Sequence, residues 1–347
     1  MGYVIDQMLQ KIEGAGLRAV VIKLNAGEIL VSEKAARILA CEIDGLEGNL
    51  FYSGGEVEAG FYAGGDRLWV APEAGYYWPS LEKAREDAVK WAKTPAAVDP
   101  GQYKIVGEGS MHVMLRNDDV MLMDGRNGRS IKFDVERFVC ECPLPSELVG
   151  GLKCSSFSIT NEMHLKLGDH QAAAGLWDIL QVPPRGTLVC PLVKPIESPT
   201  SYYEDFGKKH VQWDDQCVRF LIDTARRTKM GLPPEATTGR MGYYREIDGQ
   251  GVLIVRIFAS LVGLPYVDQP IWQDKDCIDG GDVLQAYNDD GSYGPFGEME
   301  YHDPGIVVNC TPGKRSGTSV THVIAGEPAK VKQAGEALLG CTIEPID

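Results

Sequence analysis

The sequence predicts a mainly β fold: two large antiparallel sheets packed face to face, with a few short helices. Three observations carry this. Most of the chain is a succession of short strand-like runs cut by Gly, Asn, Asp and Pro turns. Several runs alternate apolar and polar residues with period two, the pattern of a half-buried strand. Long helices do not intervene between the runs, as they would in a parallel α/β sheet.

In chain order, the strand candidates begin with "RAVVIKL" and "NAGEILVS" and continue through "MHVMLRNDDVMLMDGRNGRSIKFDVERFV", "GTLVCPLV", "GVLIVRIFA" and "GIVVNC". In "SIKFDVERF", Ile131, Phe133 and Val135 face one way and Lys132, Asp134 and Glu136 the other. Helical signal is confined to three places. "SLEKAREDAVKWAK" offers Ser80 as an N-cap, with Glu82 in the first turn where the helix dipole favours negative charge. "QCVRFLIDTARRTKMG" is compatible with a helix ending at Gly231, although its β-branched content leaves that assignment open. "EPAKVKQAGEALLG" reads as a closing helix. Neither an internal repeat nor a clear linker divides the sequence, so residues 1–347 are expected to form one β domain.

Composition narrows the function classes. The chain of 347 residues carries a formal net charge of −15, which argues against nucleic acid or an anionic membrane as the main partner. Its opening "MGYVIDQMLQKIEG" lacks the basic run and apolar core of a signal peptide. No apolar stretch reaches the roughly 20 residues that span a bilayer. The nine cysteines are odd in number and lack CxxC pairs, so reduced thiols in a cytoplasmic protein are expected. "CEC" at Cys140 and Cys142 is most simply one face of a strand, and His112 in "SMHVML" is expected to be a core histidine. The oligomeric state is not legible.

The stretch "GPFGEMEYHDPG" concentrates the chemistry. As a strand it sets Glu298, Glu300 and His302 on one face and Met299 and Tyr301 on the other. Upstream, "GGDRLWVAPEAGYYW" sets Arg67 and Trp69 on one face, with Asp66 and Glu73 as further acceptors. A Trp offers an apolar plane and one N–H, and an Arg a fixed fork of donors, both suited to a sugar ring. In "GGDVLQAYNDDG", Asp282 and Asn288 are the residues expected to point into a site, while Asp289, Asp290 and Gly291 form a turn. "NDDG" lacks the ligand spacing of a calcium loop, and the Gly pairs lack the strand and helix context of a phosphate loop. No cofactor and no metal are expected. A metal held by Glu298, Glu300 and His302 stands as the lesser alternative.

These segments carry a family resemblance. "FGEMEYHDPG" resembles the "CLET" strand and Pro-Asp turn of aldose 1-epimerases, and "CTPGKRSGTSVTHVIA" resembles the strand that follows it there. "GGDRLWVAPEAG", "ITNEMHLKLGDHQAAAGLWDILQVPP", "KMGLPPEATTGRMGYYRE" and "GGDVLQAYNDDGSYGPFGEMEYHDPG" are similar, in order and spacing, to an uncharacterised bacterial family within the galactose mutarotase-like superfamily. The resemblance implies a supersandwich with a carbohydrate-binding concavity and a small-molecule sugar as ligand. It also implies Glu300 as catalytic base. His164, in a segment loosely like the superfamily's "TNHxYFNL" strand, would be the acid, although Glu162 stands where that pattern has its His. Aldose 1-epimerase-like chemistry is the first expectation. A lyase or glycoside-cleaving reaction using Glu298 and Glu300, and a non-catalytic sugar-binding role, are the alternatives.

Overall fold

The computed structural model describes residues 3–54, 64–145, 148, 150–203, 206–207, 209–271 and 278–346. Its described strands form two ten-stranded sheets, antiparallel throughout. The first runs Ala19–Leu24, Gly27–Ser32, Arg37–Ile43, Asp66–Ala71, Ala173–Val182, Gly297–His302, Leu284–Asn288, Thr228–Leu232, Thr200–Ser201, with Ile306–Val307 pairing on Ala173–Val182. The second runs Val211–Trp213, Cys217–Ile222, Gly186–Pro191, Arg240–Ile247, Gln250–Phe258, Lys314–Gly326, Lys153–Gly168, Ser130–Glu141, His112–Met123, Lys104–Gly109. This is the two-sheet architecture expected from the sequence.

Alternation decides what lies between the sheets. Leu68, Val70, Leu176 and Leu180 of the first sheet share one apolar cluster with Val113, Phe133, Phe157 and Ile254 of the second. At its centre sits an ionic quartet. Asp66 and Asp178 come from the first sheet, Arg137 and Arg256 from the second, and all four are fully buried. Arg137 donates to Asp178 at 2.8 Å and also to Asp66, while Arg256 donates to Asp178 and lies 3.0 Å from Asp66. Two cations facing two carboxylates satisfy the charge that burial would otherwise make expensive.

The helices cover sheet faces rather than separate strands. Tyr3–Gly14 packs Ile5 and Ile12 onto Leu30, Leu39 and Ala40. The closing helix is Pro328–Leu339, which lays Val331, Leu338 and Leu339 on the outside of the second sheet and ends at Gly340 with φ 79°. Ser80 does cap its helix, accepting from the Lys83 N–H at 3.3 Å, but that helix is only Leu81–Glu86. Asp87 interrupts it and caps a second short one, Ala88–Trp91.

Two expectations are corrected here. "QCVRFLIDTARRTKMG" is not a helix but the strands Cys217–Ile222 and Thr228–Leu232 on either side of a turn. Its β-branched and aromatic content prevails, because both strands are buried between neighbours. His112 is an exposed strand-end residue beside Phe138, not a core histidine. The eight cysteines among the described residues are unpaired. No described helix is long and apolar enough to cross a membrane.

Candidate functional site

On the first sheet, the face turned away from the second sheet carries a row of charged and aromatic side chains. Period two explains the row. Met299 and Tyr301 point inward, where the Met299 carbonyl accepts from Arg256 and Tyr301 bonds Ser319. Glu298, Glu300 and His302 therefore point outward. Register places Tyr287 opposite Glu298 and Gln285 opposite Glu300. Lys229 is in turn opposite Tyr287. Arg67, Trp69 and Trp177 present the same face from the adjoining strands.

These side chains floor and wall a cleft of about 210 Å³, lined by Arg67, Trp69, Glu73, Trp177, Lys229 and Glu298, with Tyr203, Arg227, Tyr287, Tyr293, Tyr77 and Trp78 around them. A larger open depression of about 510 Å³ near Pro233 and Gly263 brings two carboxylates, Glu235 and Asp279, with no cation among the described residues of its lining. The smaller cleft holds the concentrated chemistry.

Within the cleft, Glu298 receives Arg67 Nη2 at 2.8 Å and Gln181 Nε2 at 2.9 Å, both on Oε1. Among the described residues no donor reaches its Oε2. Lys229 lies between two other carboxylates, 3.3 Å from Glu73 and 3.2 Å from Glu300, and its ammonium is 4.4 Å from the Trp177 ring centre. Burial alone would lower the Lys229 pKa, but Glu300 and Glu73 outweigh it and hold the ammonium charged well above the ordinary lysine value.

Glu300 lies beneath this pair, fully buried, with Oε2 accepting from Trp177 Nε1 at 2.9 Å and Oε1 without a partner. Burial pushes its carboxyl up to about 8 against the opposing pull of Lys229, and Glu298 and Glu73 add to the rise. Glu73 is also raised by burial, with Lys229 opposing. Its backbone N–H donates to Asp268 Oδ1 at 2.6 Å, which fixes the start of the short helix Glu73–Tyr76 at the cleft wall.

The remaining expected residues separate clearly. Arg67, Trp69, Glu73 and Glu298 line the cleft. Trp69 does so with its indole N–H already donated to Asp99 at 3.0 Å and its ring stacked on Tyr77 at 4.8 Å, so it serves as wall rather than donor. His302 is buried beside the cleft, stacked on Trp177 at 5.3 Å, and burial lowers it to about 4, so its imidazole is neutral. Asp282 packs over Gly231, where a Cβ would meet its Oδ2 at 2.1 Å, and accepts from Thr200 at 3.2 Å. Its carboxyl is pushed up to about 7 by burial.

Of the six expected residues outside the cleft lining, three point away from it altogether. Asp66 neighbours Arg67 in a strand and so points the other way, into the ionic quartet. Asn288 faces inward and is used up clipping a turn. It accepts from the Asp223 and Thr224 N–H groups and donates to Asp223 Oδ1 and the Arg226 carbonyl. His164 belongs to the second sheet. Asn161 on its strand donates inward to Asp178, so His164, an odd number of residues away, points outward to the far surface. There it bonds Glu162 at 3.1 Å, and with Glu136 these form a cluster whose ligand atoms lie within 4.8 Å of one another. Lys314, 2.8 Å from Glu162, and Arg116, 3.5 Å from Glu136, already compensate that cluster.

Comparison of the sequence with family models gives one match, over residues 46–347, to a family of unknown function, DUF6786. The chain belongs to that family. No curated protein matches it. Solved structures similar to this DUF6786 chain include three from bacteria. One is a protein of Escherichia coli K12 provisionally called an aldose 1-epimerase, at 10% identity and TM-score 0.48, covering 90% of this chain and 100% of that one. Another is a galactose mutarotase-like protein of Lactobacillus casei, at 9% identity and TM-score 0.44, covering 88% and 100%. A third is a galactose mutarotase related enzyme of Lactobacillus acidophilus, at 10% identity and TM-score 0.44, covering 88% and 97%. At these scores none of the likenesses transfers an activity.

Sequence reasoning on the DUF6786 chain passed over Lys229, Arg227, Trp177 and the tyrosines at 203, 287 and 293. Lys229 and Arg227 lie in the segment whose assignment as helix or strand the sequence leaves open. Trp177 and Tyr287 were visible as aromatic residues in strands, but only the register puts them beside Glu300 and Glu298.

Proposed function

We propose that this cleft binds a carbohydrate and interconverts its anomers by general acid–base catalysis, with Glu298 as base and Glu73 as acid. The observation that carries the reading is the pair of carboxyl groups facing one aromatic-walled cleft from unlike surroundings. Glu298 lines the cleft and is held there by Arg67 and Gln181, both on one oxygen. Glu73 is raised by burial, which favours its protonated form. Two carboxyl groups in unlike surroundings, one held by an Arg and an amide and the other raised by burial, are suited to opposite proton-transfer roles.

In the proposed reaction Glu298 Oε2 takes the proton from the anomeric hydroxyl while Glu73 protonates the ring oxygen. The ring bond breaks, the carbonyl carbon rotates, and closure returns both protons. Lys229, kept cationic, stabilises negative charge that develops on the sugar oxygens. The partly exposed rings of Tyr203 and Tyr293 supply apolar planes for the C–H face of the ring. Glu300 acts as a positioning residue beneath Lys229. This changes the base expected from the sequence resemblance, since Glu300 is sealed from the cleft. For the same reason Glu298 and Glu300 do not offer the two accessible carboxyls that glycoside cleavage requires. The sequence resemblance to the galactose mutarotase-like superfamily supports the choice of substrate.

The test is NMR anomer exchange on a panel of free hexoses, pentoses and their acids, with and without protein. Catalysed exchange of at least one sugar supports the proposal. Binding without exchange reduces it to a sugar-binding protein, and neither binding nor exchange across the panel rejects it.

A further inference from the structure

Resting on the carbohydrate reading, we infer that the cleft selects a sugar bearing an anionic substituent, and that Arg227 is its receptor. The argument begins with the balance of charge. The molecule carries a formal net charge of −15, yet three cations, Arg67, Lys229 and Arg227, line this cleft against two carboxyl groups, Glu298 and Glu73, the second of them raised by burial. Glu300 lies beneath them, fully buried against Lys229 and outside the lining. A positive cleft in an acidic protein concentrates anionic ligands against the field of the rest of the surface.

Arg67 and Lys229 are committed by short contacts to Glu298, Glu73 and Glu300. Arg227 is placed differently. Its side chain is 22% exposed, it lies over the Tyr293 ring at 5.2 Å, and its one carboxylate contact is Asp290 at 3.4 Å, a residue 37% exposed on the surface side. Its Nε is buried and finds no acceptor among the described residues. A buried N–H left without an acceptor is costly, and a ligand oxygen would satisfy it. The Nε and one Nη edge of a guanidinium forms the planar fork that grips a carboxylate or phosphate with two parallel bonds.

Spacing fits the same ligand. Arg227, which directly precedes the strand Thr228–Leu232, and Lys229 within it both line the cleft two residues apart, roughly 7 Å at the usual rise. That separation is on the scale of a single pyranose, with the anomeric oxygen at Lys229 and an exocyclic acid group at Arg227. Tyr293 stands at the Arg227 end of the cleft, and Tyr203 lines it as well. The shared chemistry is an anionic group on the sugar, and uronate and sugar phosphate are its two sources.

Isothermal titration of the full chain with glucose, glucuronate and glucose 6-phosphate, and the galactose counterparts, reads the preference, with acetate and inorganic phosphate as sugar-free controls. One anionic sugar is expected to bind about 10-fold or more tighter than its neutral parent, the scale of one charge-assisted pair. Raising the salt concentration should shrink that ratio, and Arg227→Gln should bring it close to one, with Arg227→Lys intermediate. The ratio is read only in variants whose thermal melts match wild type, and Arg227→Lys serves if Arg227→Gln does not fold. Whether carboxylate or phosphate gains more identifies the source. Equal affinity for neutral and anionic sugars overturns the inference and leaves the carbohydrate reading standing. A preference retained in Arg227→Gln overturns the assignment to that residue. Binding of acetate or phosphate as tightly as the sugars, or no sugar binding at all, overturns the carbohydrate reading and this inference with it.

Discussion

Replacing Lys229 with Met probes the electrostatics beneath the cleft. Met matches the length of the stem but removes the charge that Glu300 and Glu73 share. In wild type, Glu300 has a folded-state carboxyl pushed up to about 8, against an ordinary value of 4.5. Below the ordinary value the group is protonated in both states and costs nothing. As pH rises toward 8 the unfolded chain loses that proton and the folded one keeps it, so stability falls through this window. Lys229 is what opposes a still higher value. Without it, the upper end of the window moves above 8, and the fall continues where wild type has levelled off.

The size follows from burial. At pH 6 the variant loses mainly the contact with Glu73, whose side chain is 19% exposed, a charge-assisted hydrogen bond of about 1.5–3 kcal/mol. Above pH 8 each further unit adds up to about 1.4 kcal/mol. The limit is the about 3–5 kcal/mol typical of a buried charge stripped of its partner. Urea denaturation of wild type and Lys229→Met at pH 6 and pH 9 measures the difference. Adding Glu300→Gln to the variant should remove most of its pH dependence. A stability difference that is the same at both pH values, or a double variant as pH-sensitive as the single, would refute the reasoning.

Three further outcomes are expected. Trp69→Ala removes a ring that is 5% exposed, stacks on Tyr77 and bonds Asp99, and should cost about 3–5 kcal/mol in denaturation; a loss under 1 kcal/mol would mean the aromatic wall is loosely packed. Asp66→Asn leaves the quartet with one surplus buried cation, so about 3–5 kcal/mol should be lost while sugar affinity in the folded fraction stays unchanged, as titration at low temperature would show. His164→Ala, on the far surface, should leave anomer exchange within about twofold of wild type; a drop of tenfold or more would return His164 to the chemistry.

Much of the architecture was legible because alternation is a local property. "SIKFDVERF" buries Ile131, Phe133 and Val135, and Glu298, Glu300 and His302 do share a face. What alternation leaves open is which sheet a strand joins and which face looks inward. His164 was followed correctly along its own strand, yet that strand belongs to the other sheet. Asp66 and Arg67 are adjacent, so only one of them reaches the cleft, and the sequence does not say which. The sequence resemblance implies Glu300 as a base, but its depth depends on Lys229 and Trp177, which pairing across three strands delivers. Lys229 itself lay in a segment whose charged residues suggested a helix. Burial between Leu284–Asn288 and Thr200–Ser201 makes it a strand instead.

The most direct measurement of the central claim is the anomer-exchange rate of Glu298→Gln relative to wild type, on the sugar that the panel identifies. Gln keeps the shape at this position and can still accept from Arg67 and Gln181, but it cannot take up the proton. The account predicts that the rate falls by about 10²-fold or more while affinity for the sugar is largely kept. An exchange rate equal to that of wild type, in a variant that binds the sugar normally, would contradict it.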